Sequence, residues 1–498
     1  MPNDILEGLI SGRNTQSKIR TLVAKFVSQS PGLMILSFCG IGVVSSVSSQ
    51  SETSLDQPAF YFAASLYLSL VAVLAWGLRR WLGLPLPKLD LPAIRPFLII
   101  LTIASICVFT FLNLTATDAG VRVMYDGWVY DQLGRSLASG NGLMLGGQHS
   151  HHFPPLYPAY LSIFYGLDQS SASMKSAIEI IFLAAAAVTF LATRSLYGGD
   201  CAVLATALPF SVPSFLFPSS RNYGEPLVLL TFVVTIFAIM QSLKAGRRHY
   251  ILLAGLFAGL GYLSKSSIGY FFVIAGAAGF GWRWKYMRGA VAKDKYYLIA
   301  IAVFLAIFGV WSWRNISLFW DGTPGDLMGA WQTSAWFRDS ARKAVLERPL
   351  QYSMAVFTLA SFIPVFFIPL LLAFEPQLRA TIRKRGLEEV SGLLLAVILP
   401  VIIAVFISAV FYVEELESPD PAHLRDSYHM NLRHYYHLSR YLVISLVPLA
   451  WIVTASERVD SDSRSATSHR SKGSVASPGR GEKSDSSLLS PEEPGDRR

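Results

Sequence analysis

The sequence predicts an all-α protein that crosses a membrane many times. Hydrophobic residues make up 52% of its 498 positions and charged residues only 15%, against about 25% charged residues in soluble domains. The mean hydropathy is +0.42. Apolar runs of about 20 residues, the length that spans a hydrocarbon core about 30 Å thick, recur along the chain. Because charge is costly to bury in hydrocarbon, this composition indicates a helix bundle within a bilayer.

Twelve apolar runs are predicted to be the transmembrane helices. They are Leu33–Ser49, Phe60–Leu78, Phe97–Leu114, Ala177–Leu196, Val203–Phe217, Leu227–Leu243, Ile251–Leu263, Ile268–Trp284, Tyr297–Trp313, Tyr352–Phe374, Leu393–Val413 and Tyr441–Thr454. The short apolar segment Pro154–Leu167 is expected to re-enter the membrane or to lie at its surface. A thirteenth span is the alternative for that segment.

The distribution of basic residues predicts the orientation of the spans. Basic residues are enriched in cytoplasmic loops. The cytoplasmic loops should therefore be those that contain Arg79-Arg80, Arg247-Arg248, "WRWKYMRGAVAKDK" and "RATIRKRG". The acidic loops "SETSLDQ" and "VEELESPD" should face outside. A twelve-span arrangement with both termini in the cytoplasm satisfies all of these constraints.

The chain divides into three predicted regions. Residues 1–32 are charged and lack the short apolar core of a signal peptide, so we expect a cytoplasmic segment. Residues 33–455 form the transmembrane domain, with outer loops at about 115–176 and 319–351. Residues 456–498 are rich in serine and charge, which predicts a disordered cytoplasmic tail. The formal net charge is +9, and the basic residues cluster between the apolar runs. This is the pattern of cytoplasmic loops, so no nucleic-acid partner is expected.

The first outer loop contains the most informative polar residues. Tyr130, Leu133, Leu137 and Met144 have the spacing of a helix that lies along the membrane surface. Asp126 precedes this predicted helix. It is either a helix cap or a general base at the boundary between lipid and water.

Four stretches of the sequence form an ordered set of motifs. The first is "DGWVYDQLGRSLASGNGL" followed by "HFPPLYPAYLSIFYGL". The others are "SRNYGEPLVLLTF", "LAGLFAGLGYLSKSSIGYFF" and "VWSWRNISLFWDGTP". In this order they resemble membrane glycosyltransferases of the GT-C fold, in the branch of the protein mannosyltransferases and aminoarabinose transferases. A weaker similarity occurs in "HLSRYLVISLVPL".

The resemblance implies an inverting transfer of a sugar from a polyprenyl phosphate to a protein, lipid or glycan acceptor. The site would lie on the extracytoplasmic side of a plasma or inner membrane, in contact with membrane lipids. Asp126 would be the base, and Glu225 would orient the acceptor, assist the base or help to hold a metal ion. The expected substrate-binding residues are Tyr130, Lys265, Arg314, Asn315 and Arg440. Cations of this kind would stabilise the phosphate that leaves.

The chain departs from this branch in ways that affect the assignment. Many relatives have two adjacent acids where this chain has Asp126-Gly127, so any role of the second acid is absent or belongs to Asp131. Phe153 replaces a charged residue that often precedes the double proline, which weakens a lipid A acceptor. Two extra spans precede the usual first span, and the large outer C-terminal domain of some relatives is missing.

A metal site is a weaker prediction. His149, His151 and His152 could bind a divalent ion together with a carboxylate. However, the resemblance implies no required cofactor. The cysteines Cys39, Cys107 and Cys201 lie in apolar runs and suggest neither disulfides nor a metal site.

Two other functional classes fit parts of the pattern. A lipid-linked oligosaccharide polymerase, ligase or flippase would also gather cations for a lipid phosphate, but it would not require a base at Asp126. A solute transporter places its ionisable residues near the middle of the membrane. Here the candidates lie at the ends of spans, which favours a glycosyltransferase.

Overall fold

The computed structural model describes residues 31–41, 43–44, 56–81, 89–116, 125–150, 153–244, 249–265, 295–319, 342–416 and 438–454. These residues form thirteen α-helices and one short β-hairpin. The helices are α1 Pro31–Ile41, α2 Asp56–Trp81, α3 Leu91–Thr115, α4 Tyr125–Ala138, α5 Leu156–Tyr165, α6 Ser171–Tyr197, α7 Gly199–Phe210, α8 Pro213–Ser220, α9 Glu225–Lys244, α10 Tyr250–Ser264, α11 Lys295–Phe319, α12 Pro349–Leu416 and α13 Leu438–Thr454. The hairpin strands are β1 Met144–Leu145 and β2 Gln148–His149.

The helices confirm the predicted all-α multi-pass membrane class. Five described segments are long and apolar enough to cross a bilayer, namely Leu91–Thr115, Ser171–Tyr197, Glu225–Ser242, Leu298–Leu318 and Pro349–Arg383. The predicted number of spans stays a prediction, because one span, Ile268–Trp284, lies outside the described residues. The segment 1–30, most of the loop 319–351 and the tail 456–498 also lie outside them.

The predicted span Val203–Phe217 is bent in the structure. Helices α7 and α8 meet at an angle of 67°, as in a broken span or a re-entrant loop. Pro213 begins α8, and Val212 before it has the extended ψ of 122°. A proline cannot donate the helical hydrogen bond and disfavours helical backbone in the residue before it, which explains the break.

The predicted spans Tyr352–Phe374 and Leu393–Val413 belong to one helical element, α12. A straight helix would separate Tyr352 from Phe406 by about 80 Å. Instead, the Tyr352 hydroxyl donates a hydrogen bond of 3.3 Å to the Phe406 carbonyl. The chain therefore reverses direction within α12, and its two apolar halves pack side by side.

The first outer loop folds into α4, the hairpin and α5. Gly140 and Gly142 have φ of +78° and +77° and end α4, so Met144, which was predicted to continue this helix, lies in β1 instead. Gly146 and Gly147 form the hairpin turn, where positive φ at both positions favours glycine. Helix α5 has 10 residues and is about 15 Å long, half the thickness of a hydrocarbon core. This length favours the surface or re-entrant alternative for Pro154–Leu167.

Two pairs of helices position the polar residues discussed below. Glu225 begins α9 and Lys265 follows the end of α10, so their antiparallel packing brings the two residues to the same end. Helix α10 also packs closely on α11. A side chain at Gly255 would meet the Ala300 carbonyl oxygen at 2.4 Å, and one at Gly259 would meet Ile307 at 2.7 Å. Small residues let helix backbones approach in this way within membranes.

We predict that Gly255→Ala destabilises the folded protein, because the new methyl group overlaps the Ala300 carbonyl. Overpacking of this kind costs about 1–3 kcal/mol, which exceeds the gain of about 1 kcal/mol in helix propensity. The measurement is the midpoint of thermal unfolding in detergent. Gly309→Ala is the control, because no heavy atom lies within 4 Å of the added methyl group. Equal midpoints for the two variants would contradict the packing described for α10 and α11.

Candidate functional site

Three charged side chains from three helices meet at one end of the described bundle. The Lys265 ammonium lies 2.9 Å from Glu225 Oε1. The Arg440 Nε lies 3.4 Å from the same oxygen. The Glu225 and Arg440 side chains are 7% and 8% exposed, and buried charges of this kind are stable only when paired. We call these three residues the charged cluster.

Two tyrosine rings cover the cations of the charged cluster. The Arg440 guanidinium lies over the rings of Tyr223 and Tyr441, at 5.2 and 5.0 Å from their centres. It also donates a 3.0 Å hydrogen bond to the Tyr441 hydroxyl, and the Lys265 ammonium lies 4.9 Å from the Tyr441 ring centre. Aromatic faces attract cations, so the rings fix both positive groups in place.

A small cavity adjoins the charged cluster. Its apolar lining contains Phe215, Val228, Val443 and Ile444, and its polar lining contains the charged cluster with Tyr441. Glu225 Oε2 is buried and accepts no hydrogen bond from the described residues. With one carboxylate against two cations, the charged cluster has a formal charge of +1. The cavity therefore has a positively charged side and an apolar side.

Asp126 lies close to the charged cluster without pairing with it. Its negative charge acts on both Lys265 and Arg440, yet none of the described residues hydrogen-bonds to its carboxylate. The sequence places Asp126 before the helix as a possible cap, whereas the structure places it inside the first turn of α4. The start of a helix stabilises a negative charge. Asp126 is thus a half-buried acid whose carboxylate is not hydrogen-bonded within the described part of the chain.

The residue after Asp126 is glycine because the chain passes too close for a side chain. A Cβ at Gly127 would lie 2.2 Å from the Arg221 carbonyl oxygen. An acid at this position, as in many relatives, would not fit without moving α4 or the segment before α9. The single acid at Asp126 is therefore a consequence of how these two segments pack.

Tyr130, predicted to bind substrate, lies in an aromatic group beneath Asp126. Its ring makes edge contacts with Phe153 and Tyr157 at 5.2 and 5.0 Å. It is only 5% exposed. Burial, together with the negative charge of Asp126, raises the pKa of Tyr130 well above its ordinary value. The hydroxyl therefore stays protonated at neutral pH.

Asp131 is held by hydrogen bonds and is largely buried. Its carboxylate accepts hydrogen bonds from the Tyr165 hydroxyl and from Arg135 Nε, the latter at 3.1 Å. The Asp131 side chain is 14% exposed. Since Tyr165 belongs to α5, Asp131 ties α4 to α5 and is an unsuitable replacement for the missing second acid.

Arg314 and Asn315 lie near the hairpin rather than in contact with the charged cluster. Arg314 Nη1 donates to the Ser150 carbonyl at 2.7 Å and to Asn315 Oδ1 at 2.9 Å. Its guanidinium lies 4.8 Å from the Trp311 ring centre. The buried Asn315 Nδ2 and Trp311 Nε1 donate to none of the described residues. This end of α11 thus carries two buried donors that no described residue satisfies.

The metal prediction is not tested by the structure. Of the three histidines, only His149 lies among the described residues, where it is exposed in β2. Within the described part of the chain, no three residues of His, Cys, Asp and Glu are grouped to bind a metal ion.

Three residues of the site were missed by the sequence analysis. Tyr223 and Tyr441 cover the cations. Asn222, just before α9, forms hydrogen bonds with Gly127 at the start of α4 and with Tyr157 of α5. Two of them lie within "SRNYGEP", only two or three positions before Glu225. Their closeness in sequence to Glu225 could have indicated that they belong to the site. However, asparagine and tyrosine side chains do not by themselves indicate a catalytic or binding role.

A family comparison identifies the class of protein. Residues 152–313 match the dolichyl-phosphate-mannose-protein mannosyltransferase family. The match covers about a third of the chain and includes Glu225 and Lys265. It confirms the predicted resemblance, and with the apolar helices it defines a multi-pass membrane protein similar to GT-C glycosyltransferases. None of the curated proteins matches the chain.

Two solved structures show a limited likeness to the fold. Both are crystal structures of ArnT from Cupriavidus metallidurans. The structure bound to undecaprenyl phosphate is 13% identical, with a TM-score of 0.34 over 71% of this chain and 77% of that chain. The apo structure is 12% identical, with a TM-score of 0.33 over 72% and 77% of the two chains.

We predict that Glu225→Gln destabilises the protein strongly, because it leaves Lys265 and Arg440 buried beside a neutral amide. Removing one partner of a buried ion pair costs about 3–5 kcal/mol. The measurement is again the thermal midpoint in detergent. Adding Lys265→Met should recover part of the loss, since one uncompensated charge then disappears.

Asp200→Asn is the matched control for the Glu225 variant. Its partner is Arg95, at 3.2 Å, and the two side chains are 53% and 35% exposed for Arg95 and Asp200. Exposed pairs contribute about 0–1 kcal/mol, so the midpoint should barely change. If Glu225→Gln were as mild as Asp200→Asn, the charged cluster would not hold its helices together.

Proposed function

We propose that the protein is an inverting glycosyltransferase that moves a sugar from a polyprenyl phosphate to a hydroxyl acceptor. One observation carries the proposal: Asp126, an acid without a hydrogen-bond partner among the described residues, lies beside a buried pair of cations. An acid that can accept a proton and cations that can stabilise a leaving phosphate are the two groups that such a transfer needs. The match to a family named for dolichyl-phosphate-mannose supports the donor class.

The charged cluster is assigned to the phosphate of the donor. A sugar phosphodiester carries one negative charge, which balances the formal +1 of the charged cluster. As the bond between the sugar C1 and the phosphate oxygen breaks, the phosphate gains a second negative charge. Lys265 and Arg440 are fixed in advance by Tyr223 and Tyr441, so they stabilise this new charge without first reorganising. The apolar wall of the cavity suits the first part of the lipid chain.

Asp126 is assigned as the general base. The acceptor oxygen attacks C1 of the sugar from the side opposite the phosphate, so the new bond has inverted configuration. The hydroxyl proton passes to the Asp126 carboxylate and then to water, and the lipid phosphate leaves as a dianion. Glu225 is already held by two cations. Its role is to position these cations, and its free Oε2 orients the acceptor or the sugar.

The donors of α11 are assigned to the oxygens of the substrate. Asn315 Nδ2 and Trp311 Nε1 are buried and unpaired within the described chain, which is costly unless a ligand or water satisfies them. Arg314, adjacent to both, adds a cation for sugar or phosphate oxygens. No metal is required for this chemistry, although a divalent ion near His149 would be compatible with it.

The basic loops predict that the site faces the extracytoplasmic side of a plasma or inner membrane. The acceptor would then be a protein, lipid or glycan that reaches the outer surface. The lipid donor approaches within the bilayer, and the acceptor approaches from water. A site at the ends of spans, with an apolar cavity on one side, fits both routes.

We predict that Asp126→Asn abolishes most of the transfer while the protein still folds. The change keeps the size of the side chain but removes the base, and loss of a general base costs about 10²–10⁴-fold in rate. The measurement is sugar transfer from a polyprenyl-phosphate donor in proteoliposomes, with donor binding measured separately. Binding should persist, because Lys265 and Arg440 are unchanged.

Asp168→Asn is the matched control for the base. Asp168 lies in the same loop, is exposed, and accepts hydrogen bonds only locally, from Ser170. This variant should transfer sugar at the parental rate. Transfer at the parental rate by Asp126→Asn would refute the assignment of the base. In cells, loss of the protein should remove a single-sugar modification, whereas an accumulated lipid-linked repeat unit would favour the polymerase or flippase alternative.

A further inference from the structure

We propose that Asn222 is a positioning residue that holds Asp126 in place for catalysis. This inference rests on the proposed function, because it requires Asp126 to be the base. Asn222 lies three residues before Glu225, where α9 begins, and its side-chain hydrogen bonds go to Gly127 and Tyr157 rather than to the Asp126 carboxylate. The Asn222 side chain thus forms a hydrogen bond with the backbone of Gly127, the residue that follows Asp126. No other residue of the site joins the α4 start to both α5 and the segment before α9 through side-chain hydrogen bonds among the described residues.

The amide of Asn222 makes two hydrogen bonds in opposite directions. Its Nδ2 donates to the Gly127 carbonyl at 2.9 Å. Its Oδ1 accepts from the Tyr157 hydroxyl at 2.9 Å. Asn222 is 0% exposed, so water cannot replace either bond. Only a side chain with both a donor and an acceptor in this geometry satisfies the two buried groups.

The backbone of Asn222 is also unusual. Its φ is +67°, and it is the only described residue other than glycine with a positive φ. Asparagine accepts this left-handed conformation more readily than most residues with a side chain. The conformation turns the chain between α8 and α9, and it aims the amide at α4. The backbone conformation of Asn222 and its side-chain amide therefore both contribute to the contact between this segment and α4.

The close contact at Gly127 makes the position of α4 depend on where Arg221 and Asn222 lie. The Arg221 carbonyl lies where a Cβ of Gly127 would be, at 2.2 Å. The segment 221–222 therefore touches α4 by a backbone contact on one side and by the Asn222 amide on the other. Asp126 is bonded directly to Gly127, so any shift of this contact moves the base. Misplacing a catalytic group by about 1 Å can cost about 10²-fold in rate.

Tyr157 completes the connection from α5. It is 0% exposed, and burial raises its pKa well above the ordinary value, with the charges of Tyr160 and Glu225 adding to the effect. Its hydroxyl therefore remains a donor to Asn222 at neutral pH. Tyr157 also packs against Tyr130, which lies one turn after Asp126 on α4. Asn222 thus links the base to the aromatic group beneath it.

The test uses Asn222→Gly, which keeps the positive φ without strain but removes both hydrogen bonds. In the proteoliposome transfer assay, we expect kcat to fall about 10²-fold. The KM for the polyprenyl-phosphate donor should stay within about twofold, since it is set by the charged cluster and not by α4. Asn222→Asp keeps the acceptor for Tyr157 but replaces the donor to Gly127 with a carboxylate oxygen, so it should show the same loss of kcat.

Variants of Tyr157 and Gly127, with Gly199→Ala as a control, separate a positioning role of Asn222 from a structural role. Tyr157→Phe should lower kcat less, and combined with Asn222→Gly it should add little, because both remove the same connection. Gly127→Ala should also lower kcat, whereas Gly199→Ala, with no heavy atom within 4 Å of the new methyl group, should not. Parental kcat in Asn222→Gly, or a rise in donor KM matching its loss of kcat, would overturn the proposal.

Asp126→Asn, measured in the same assay, separates the positioning role of Asn222 from the assignment of Asp126 as the base. If Asp126→Asn is inactive and Asn222→Gly is fully active, the positioning role fails and the base assignment stands. If Asp126→Asn is fully active, the proposed function and the positioning role fail together. If both variants lose kcat and Asn222→Gly retains the parental KM for the donor, the positioning role is supported.

Discussion

The site depends on one buried ionic contact, in which the carboxylate of Glu225 faces the cations of Lys265 and Arg440. The three residues lie at the ends of α9, α10 and α13, which are far apart in the sequence. In a medium of low dielectric, each charge is costly unless the others are present. The contact therefore fixes where these helices end relative to one another. It also leaves an excess positive charge, which an anionic ligand can balance.

The proposed transfer has a second requirement, which is an acid beside the cations that the cations do not neutralise. Asp126 reaches this position on α4, outside the bundle of long helices. Two backbone features allow it: the absence of a side chain at Gly127 and the left-handed turn at Asn222. Each is local, yet together they determine how far the acid lies from the cations.

The sequence predicted the class and several members of the site, but not how they combine. Apolar runs and basic loops depend only on composition along the chain, so the membrane class could be recognised directly. Glu225, Lys265 and Arg440 lay in recognisable motifs. The role of Asn222 could not be predicted, because it depends on a carbonyl 95 residues away. The bend between α7 and α8 was missed although Pro213 was visible, because the run reads as continuously apolar. The hydrogen bond between Asp131 and Tyr165 could not be predicted either, because Tyr165 lies on another helix.

The proposed transfer uses one base and one displacement, and its most direct measurement is the anomeric configuration of the transferred sugar. Nuclear magnetic resonance of the product, formed from a polyprenyl-phosphate donor of known configuration, reports this configuration. A single attack assisted by Asp126, opposite the phosphate bound by Lys265 and Arg440, predicts complete inversion. Retention of configuration would require a covalent intermediate on a carboxylate, and it would contradict the assignment of Asp126 and Glu225 made here.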